Sequence, residues 1–293
     1  MIEPLCVDAH EDLAWNTLSF GRDYTLPVSE TRLREQGSLA PAVNGDTLLG
    51  WPDYQRGKVA IVFSTLFVAP ERRRLGDWDH QCYADFDQAH LFYSRQLDVY
   101  DRLAGDHPDM FQKIEKQADL SAILSHWKRQ DTEEHPVGLV VLMEGAEGVR
   151  EPAEVEEWYQ RGVRIIGPAW AGTRYCGGTR EPGGLTKDGY ALLERMAKYH
   201  LTLDLSHMDE KAALQALDTY PGAIIASHAN ALALLKGSQS NRHLTDRVIQ
   251  GLLERAGTIG IVPSNSFLRP SWKEDGGRAS VSLEQMVAHV DYI

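Results

Sequence analysis

Cysteine is scarce: Cys6, Cys82 and Cys176 are the only three in the chain. They are too few and too scattered for a disulfide framework or a thiolate-bound zinc, and they suit the reduced thiols of a cytoplasmic protein. Positive charge is short as well. The balance of 30 Lys and Arg against 42 Asp and Glu leaves a net charge of −12. That repels nucleic acid and anionic lipid, so neither nucleic acid nor a membrane is expected as a partner. No apolar run reaches the roughly 18 residues that a membrane span requires. The amino terminus Met1-Ile2-Glu3-Pro4 lacks the basic region and apolar core of an export signal. No stretch in the middle reads as a linker. Apolar content of 43% and charged content of 25% exclude disordered and collagen-like classes. The 293 residues suffice for one large α/β domain with its own core, expected to span 1–293, although length alone would also allow two.

What is present is concentrated between Leu201 and Asn230. Leu201-Thr202-Leu203-Asp204-Leu205 reads as a buried strand followed at once by Ser206-His207. A helical stretch from Asp209 to Leu217 ends at Pro221-Gly222, and a second apolar strand, Ala223-Ile224-Ile225-Ala226, leads into Ser227-His228. Two imidazoles thus follow two consecutive strands at their carboxyl ends, the edge of an α/β barrel where chemistry is built. Near the amino terminus, Leu5-Cys6-Val7 delivers Asp8-Ala9-His10-Glu11-Asp12, and strand alternation sets His10 and Asp12 on one side.

The remaining elements follow in the same idiom. Lys58 to Val68 and Val137 to Met143 read as buried strands, the latter ending in Glu144-Gly145. Val163 to Ile166 is a strand ending in Gly167-Pro168-Ala169-Trp170, and Thr258 to Val262 is the last strand. Helices are expected over Phe86 to Leu103, Asp119 to Arg129, Glu154 to Arg161, Thr186 to Tyr199, His243 to Ala256 and Leu283 to Ile293. Leu13 to Gly57, about 45 positions rich in Gly, Pro, Asp and Trp, reads as an irregular loop over the site mouth. Ala171 to Gly184 reads as a glycine-rich loop flexible enough to fold over a ligand. Seven strand-and-helix units are counted and an eighth strand is missing, so either the sequence is cut short or the barrel is open.

His10, Asp12, Glu144, His207 and His228 together are three imidazoles and two carboxylates, all at expected strand ends. That donor mix suits a pair of borderline divalent ions such as Zn2+. A carboxylate bridging two such ions holds them about 3.5–4 Å apart, with a shared water whose pKa falls to about 7. Asp204, three positions before His207, either orients an imidazole or simply ends its strand.

Asp8-Ala9-His10-Glu11-Asp12, Met143-Glu144-Gly145, Gly162-Val163-Arg164, Gly184-Leu185-Thr186, Leu203-Asp204-Leu205-Ser206-His207, Ala226-Ser227-His228 and Asn241-Arg242 with Asp246 occur in an order that resembles the membrane dipeptidase (renal dipeptidase) family of metallopeptidases. The resemblance covers nearly the whole chain. It implies an α/β fold, a (β/α)8 barrel of the metal-dependent hydrolase type, truncated before its eighth strand. It also implies a binuclear centre of two Zn2+ ions: His10 and Asp12 on one, His207 and His228 on the other, and Glu144 bridging as the catalytic carboxylate. A dipeptide amide would be cleaved by a metal-bridging hydroxide, with Arg242 holding the substrate's terminal carboxylate. The resemblance further suggests a homodimer.

Two positions depart from the family pattern. Trp170 stands where the family carries a substrate-contacting histidine, so its indole N–H offers a different donor to the substrate. The family's strand-eight turn, with the aspartate that exchanges protons with water and the leaving amine, is absent from these residues, which end at Asp291-Tyr292-Ile293 in the expected helix before it. Alternative readings are a metal-dependent amidohydrolase acting on another amide, a lactone or a β-lactam, and a metal-binding but inactive truncated barrel.

Overall fold

A computed structural model describes residues 4–129, 131, 132 and 134–293; the expectation about the amino-terminal Met1-Ile2-Glu3 falls outside them. The chain divides into two compact units, one made of Met1–Met143 with Gln160–Arg164, the other of Glu144–Tyr159 with Ile165–Ile293.

The first unit opens with β1 (Cys6–Glu11), which pairs in parallel with β2 (Val59–Phe67), Val7 opposite Ile61 and Asp8 opposite Val62. Short strands β3 (Ala69–Pro70) and β4 (Cys82–Tyr83) pair with each other outside the main sheet. β5 (Phe111–Lys113), too short to stand out in the sequence, pairs in parallel with β6 (Val137–Glu144). The main-sheet order runs β1-β2-β6-β7, with β7 spanning Val163–Gly167. β2 and β6 are continuous β-branched and aliphatic runs because strands covered on both faces need no polar alternation. Ala60, Ile61, Ile114 and Ile123 form a buried apolar cluster, with Leu120, Leu124 and Trp127 among the residues packed against it.

The segment read as an irregular loop, Leu13 to Gly57, is instead helical in four pieces: α1 (Leu13–Phe20), α2 (Val28–Arg34), α3 (Ala40–Asn44) and α4 (Trp51–Gly57). Each is too short to show a helical period in the sequence, and tertiary contacts hold them. Arg22 and Glu35, both buried, form a two-point ion pair, Nε to Oε1 at 2.7 Å and Nη2 to Oε2 at 3.2 Å. Arg22 Nη2 also donates to the Gly45 carbonyl at 2.9 Å, so one guanidinium ties α2 to the end of α3. Removing one partner of such a pair strands the other charge out of water. Arg22→Met is therefore expected to destabilise the protein by about 3–5 kcal/mol, and the double change Arg22→Met with Glu35→Leu by clearly less. Denaturant titration of the two variants reads the difference directly.

α5 (Phe86–Asp106) and α6 (Gln117–Trp127) complete this unit. The Asp85 carboxylate caps α5 by accepting from the Gln88 N–H at 2.8 Å, a contact worth about 1 kcal/mol.

In the second unit the order is β7-β10-β11-β12, with β10 (Thr202–Asp204), β11 (Ile224–Ala226) and β12 (Thr258–Ile259) all parallel. α7 (Val155–Gln160) precedes β7, and α8 (Lys187–Lys198) follows a hairpin of β8 (Cys176–Gly178) and β9 (Glu181–Leu185). α9 (Glu210–Thr219) lies between β10 and β11. The Thr186 hydroxyl caps α8 by accepting from the Gly189 N–H at 3.0 Å, as expected for that residue type. α10 (Asp246–Glu254) is shorter than its pattern implied, because Asn241 to Thr245 form a loop. α11 (Asn265–Leu268) and α12 (Leu283–Tyr292) close the chain. α12 buries His289, whose Nδ1 accepts from the Ala231 N–H at 3.2 Å, a packing role.

Parallel strands alternating with helices make this the α/β fold of the (β/α)8 type, with seven main-path strands among the described residues. No described helix is long and apolar enough to cross a membrane.

Candidate metal centre

Strand register in the second unit brings the candidate side chains together. Leu203 pairs with Ile224 and Asp204 with Ile225, so β11 ends one residue beyond β10 and the residues after them share one edge. His207 follows β10 by three positions and His228 follows β11 by two. Glu144 is the last residue of β6, and Gly145 (φ 74) turns the chain away behind it, an angle that favours glycine. His207 itself is left-handed (φ 68), a conformation costing about 1–3 kcal/mol outside glycine, retained where the surroundings over-determine the site.

The result is a tight cluster. The Glu144 carboxylate oxygen Oε1 lies 2.9 Å from His207 Nε2 and 3.1 Å from His228 Nε2, and the two Nε2 atoms are 3.0 Å apart. All three side chains are largely buried.

Proton bookkeeping at His228 shows what this cluster suits. The Ser227 hydroxyl donates to the Asp204 carboxylate, so the Ser227 oxygen is an acceptor toward His228 Nδ1, 2.8 Å away. The proton of a neutral His228 then sits on Nδ1, and Nε2 presents a lone pair to the cluster. His207 Nδ1 faces the Thr179 hydroxyl at 3.0 Å, a partner that can accept the ring proton there and leave Nε2 as a second lone pair. Two imidazole lone pairs and a carboxylate oxygen within about 3 Å repel one another unless a cation lies among them, and nitrogen with carboxylate oxygen is a donor set for zinc. The residues present therefore fit a divalent ion.

Asp204 also accepts from the Ser206 N–H at 3.0 Å and the Ser227 N–H at 2.8 Å, stapling the end of β10 to the end of β11. It reaches His228 through the Ser227 hydroxyl and not by direct contact. Ser206 Oγ accepts from the His228 N–H at 3.1 Å, so both serines preceding the histidines hold the turn.

Arg242 lies on the loop before α10, not at a helix start as its sequence neighbourhood suggests. It is buried, its Nη2 donates to the His228 carbonyl at 2.6 Å, and its guanidinium stacks over the Phe267 ring at 5.2 Å. Its Nε and Nη1 are buried with no hydrogen-bond partner among the described residues. Burial lowers its pKa to about 10, against the opposing pull of Glu144 and Asp204. At neutral pH it remains a cation with donors to spare. Trp170 stands with its ring 6.1 Å from that of His207, tilted by 34°.

The segment read as a flexible loop, Ala171 to Gly184, is the β8–β9 hairpin, and its glycines serve close packing. A Cβ on Gly177 would overlap the Gly183 backbone, and one on Gly178 would overlap the Ala171 carbonyl. Below it, the Arg174 guanidinium donates to Asp188 at 2.8 Å and the Arg174 N–H to Glu147 at 3.0 Å.

His10 and Asp12 belong to the first unit, where His10 Nε2 is 3.7 Å from Asp12 Oδ1. The alternation expected from β1 holds: the two side chains meet, while the intervening Glu11 is buried and accepts from the Tyr54 hydroxyl. The Thr65 hydroxyl donates to Asp12, fixing that carboxylate. Of three residues that matter to the geometry, Ser227 and Asn241 stand in the sequence motifs without a role of their own, and Thr179 carries no sequence signal. The one legible signal was the repeated Ser-His pair.

A family model described as membrane dipeptidase (peptidase family M19) matches residues 1–293. An uncharacterized protein in the PQQ-III 3′ region of Acinetobacter calcoaceticus is 31% identical over 222 residues, 67% of this chain and 68% of that protein. A metallopeptidase from Rhodobacter sphaeroides, solved with a phosphinate mimic of the dipeptide L-Ala-D-Ala, superimposes with a TM-score of 0.76 at 22% identity, covering 98% of this chain and 81% of that one. The M19 metallopeptidase dipeptidase AC gives a TM-score of 0.75 at 24% identity over 100% of this chain and 80% of that one.

Proposed function

The chain belongs to the membrane dipeptidase family, peptidase family M19, and from that premise we propose that it cleaves the amide bond of dipeptides at a binuclear zinc centre. As a member of the family it is a metal-dependent, dipeptidase-like hydrolase. In the proposed centre His207 and His228 would hold one ion, His10 and Asp12 would hold the other, and Glu144 would supply its carboxylate. Zinc, when bound, supplies Lewis acidity toward the amide carbonyl and lowers the pKa of water to about 7.

The protein's own groups do the rest. The Ser227 and Thr179 hydroxyls keep the imidazole protons on Nδ1, which leaves Nε2 as the ligand atom. Arg242 receives the carboxylate of the carboxyl-terminal residue on its unmatched donors, so a free carboxylate next to the scissile bond is required. Trp170, over His207, presents an apolar wall and an indole N–H to the substrate. The observation carrying this reading is the approach of the Glu144 oxygen to both imidazole nitrogens, at 2.9 and 3.1 Å.

Zinc loading followed by plasma emission analysis is expected to find two ions per chain; none bound would overturn the proposal. A substrate panel led by L-Ala-D-Ala is expected to show amino acids released from dipeptides and not from their carboxyl-terminal amides. Preferential hydrolysis of a blocked amide, a lactone or a β-lactam would favour the second reading, which Trp170 in place of a histidine motivates. We place the protein in the cytoplasm on the strength of its three free cysteines, and take it to be a homodimer on family grounds.

A further inference from the structure

The turn between β8 and β9 touches both halves of the proposed chemistry within the second unit. Its first residue, Thr179, donates its backbone N–H to the Trp170 carbonyl at 3.0 Å and places Oγ1 3.0 Å from His207 Nδ1. The His207 carbonyl lies 3.5 Å from the same hydroxyl, within reach of its one proton. With the proton turned that way the hydroxyl oxygen accepts from Nδ1–H, and Nε2 is left unprotonated. The second turn residue, Arg180, is left-handed (φ 64), and its N–H donates to Asn241 Oδ1 at 2.9 Å.

Asn241 does more than receive that bond. Its Nδ2 donates to the Gly178 carbonyl at 2.9 Å and to Asp209 Oδ2 at 3.0 Å, so its amide clamps both sides of the turn onto the start of α9. The Asp209 N–H donates to the Gly177 carbonyl at 3.1 Å from the other direction. The next residue along the chain is Arg242, fastened by 2.6 Å to the carbonyl of His228. A displacement of Asn241 therefore moves the hydroxyl behind His207 and the arginine beside His228 together.

We infer that Thr179 is a positioning residue for His207, and that Asn241 holds its turn in register with Arg242, so that metal affinity and carboxylate recognition are coupled through one hydrogen-bonded turn. This rests on the zinc-dipeptidase reading above, but its core, the orientation of His207, is measurable without metal. A carboxylate would fix an imidazole more strongly, but it would add negative charge to a site that already contains Glu144. A threonine hydroxyl sets the tautomer with no added charge, and its methyl group shields the bond from water.

Three variants test it. Thr179→Val keeps the shape and removes the hydroxyl; its zinc dissociation constant, from chelator competition, is expected to rise about 10- to 100-fold, and Thr179→Ser is expected to restore it. Asn241→Ala is expected to weaken zinc and to raise KM for a dipeptide on the order of 10-fold, the paired loss that a local effect at one site would not produce. In the metal-free protein, long-range 1H–15N correlation of the histidine rings is expected to show His207 protonated at Nδ1, and to lose that signature in Thr179→Val. A wild-type ring already protonated at Nε2, or a Thr179→Val protein that holds zinc within about twofold of wild type, overturns the inference. If the wild type binds no zinc while its ring is protonated at Nδ1 and shifts in the variant, the zinc reading fails and the orienting role of Thr179 stands.

Discussion

Glu144→Gln is expected to reduce kcat/KM for dipeptides by on the order of 10³-fold or more, and to drop zinc content from two ions per chain to one or fewer. The side chain keeps its shape, so the change isolates charge. Glu144 is buried, and one of its oxygens faces both Nε2 atoms at 2.9 and 3.1 Å. A divalent ion held by two neutral imidazoles needs a negative group beside it; a neutral amide offers one weak acceptor and two donors that point protons at the cation. The fold is not expected to suffer, because burying an amide costs less than burying a carboxylate. Melting curves separate the two effects. Wild type is expected to gain thermal stability on zinc addition by mass action, and Glu144→Gln to melt like metal-free wild type and gain little. A variant that retains both ions and full activity would remove Glu144 from the centre.

That such a test can be designed from a strand-end motif reflects where information sits in this chain. His207 and His228 were legible because each follows a short apolar run directly, and the run fixes which strand end they occupy. Glu144 was legible for the same reason at the end of β6. The long helix α5 and the capped start of α8 were legible because period and cap residues lie within a few positions of each other. What failed was what depends on distant partners. Leu13 to Gly57 looked irregular because α2 and α3 run only 7 and 5 residues and are held by the Arg22–Glu35 pair, which no local pattern announces. Ala171 to Gly184 looked flexible because glycine permits motion. In the hairpin the same glycines allow two backbones to touch, and the segment is pinned by Asn241 from 63 positions away. Thr179 was missed on the same ground: its partner lies 28 positions on, and a threonine in a glycine-rich stretch carries no signal of its own.

Arg242→Met is expected to raise KM for free-carboxylate dipeptides by about 10²–10³-fold, the cost of truncating one partner of a desolvated charge pair. kcat is expected to change less, since the lost contact binds a part of the substrate that does not react. The same variant is expected to hydrolyse carboxyl-terminal amides as poorly as before, so the preference for the free acid collapses from one side only. Arg242→Lys is not expected to rescue: one guanidinium nitrogen already holds the His228 carbonyl at 2.6 Å, and an ammonium on a shorter stem cannot keep that bond while meeting a carboxylate. Stability is expected to move the other way. The buried guanidinium has its pKa lowered to about 10, below its unfolded value. Folding thus works against the charged form throughout neutral pH, and the penalty lifts only as pH rises through the folded pKa. Removing the cation removes that penalty, so the Met variant is expected to melt no lower than wild type while binding substrate far worse, provided Met fills the space over Phe267. A residue kept at a cost to the fold is kept for a ligand, and paired measurements of Tm and KM on this one variant decide whether the ligand is the carboxylate of a dipeptide. An unchanged KM would detach Arg242 from the substrate and leave the preference for a free carboxylate without a residue to carry it.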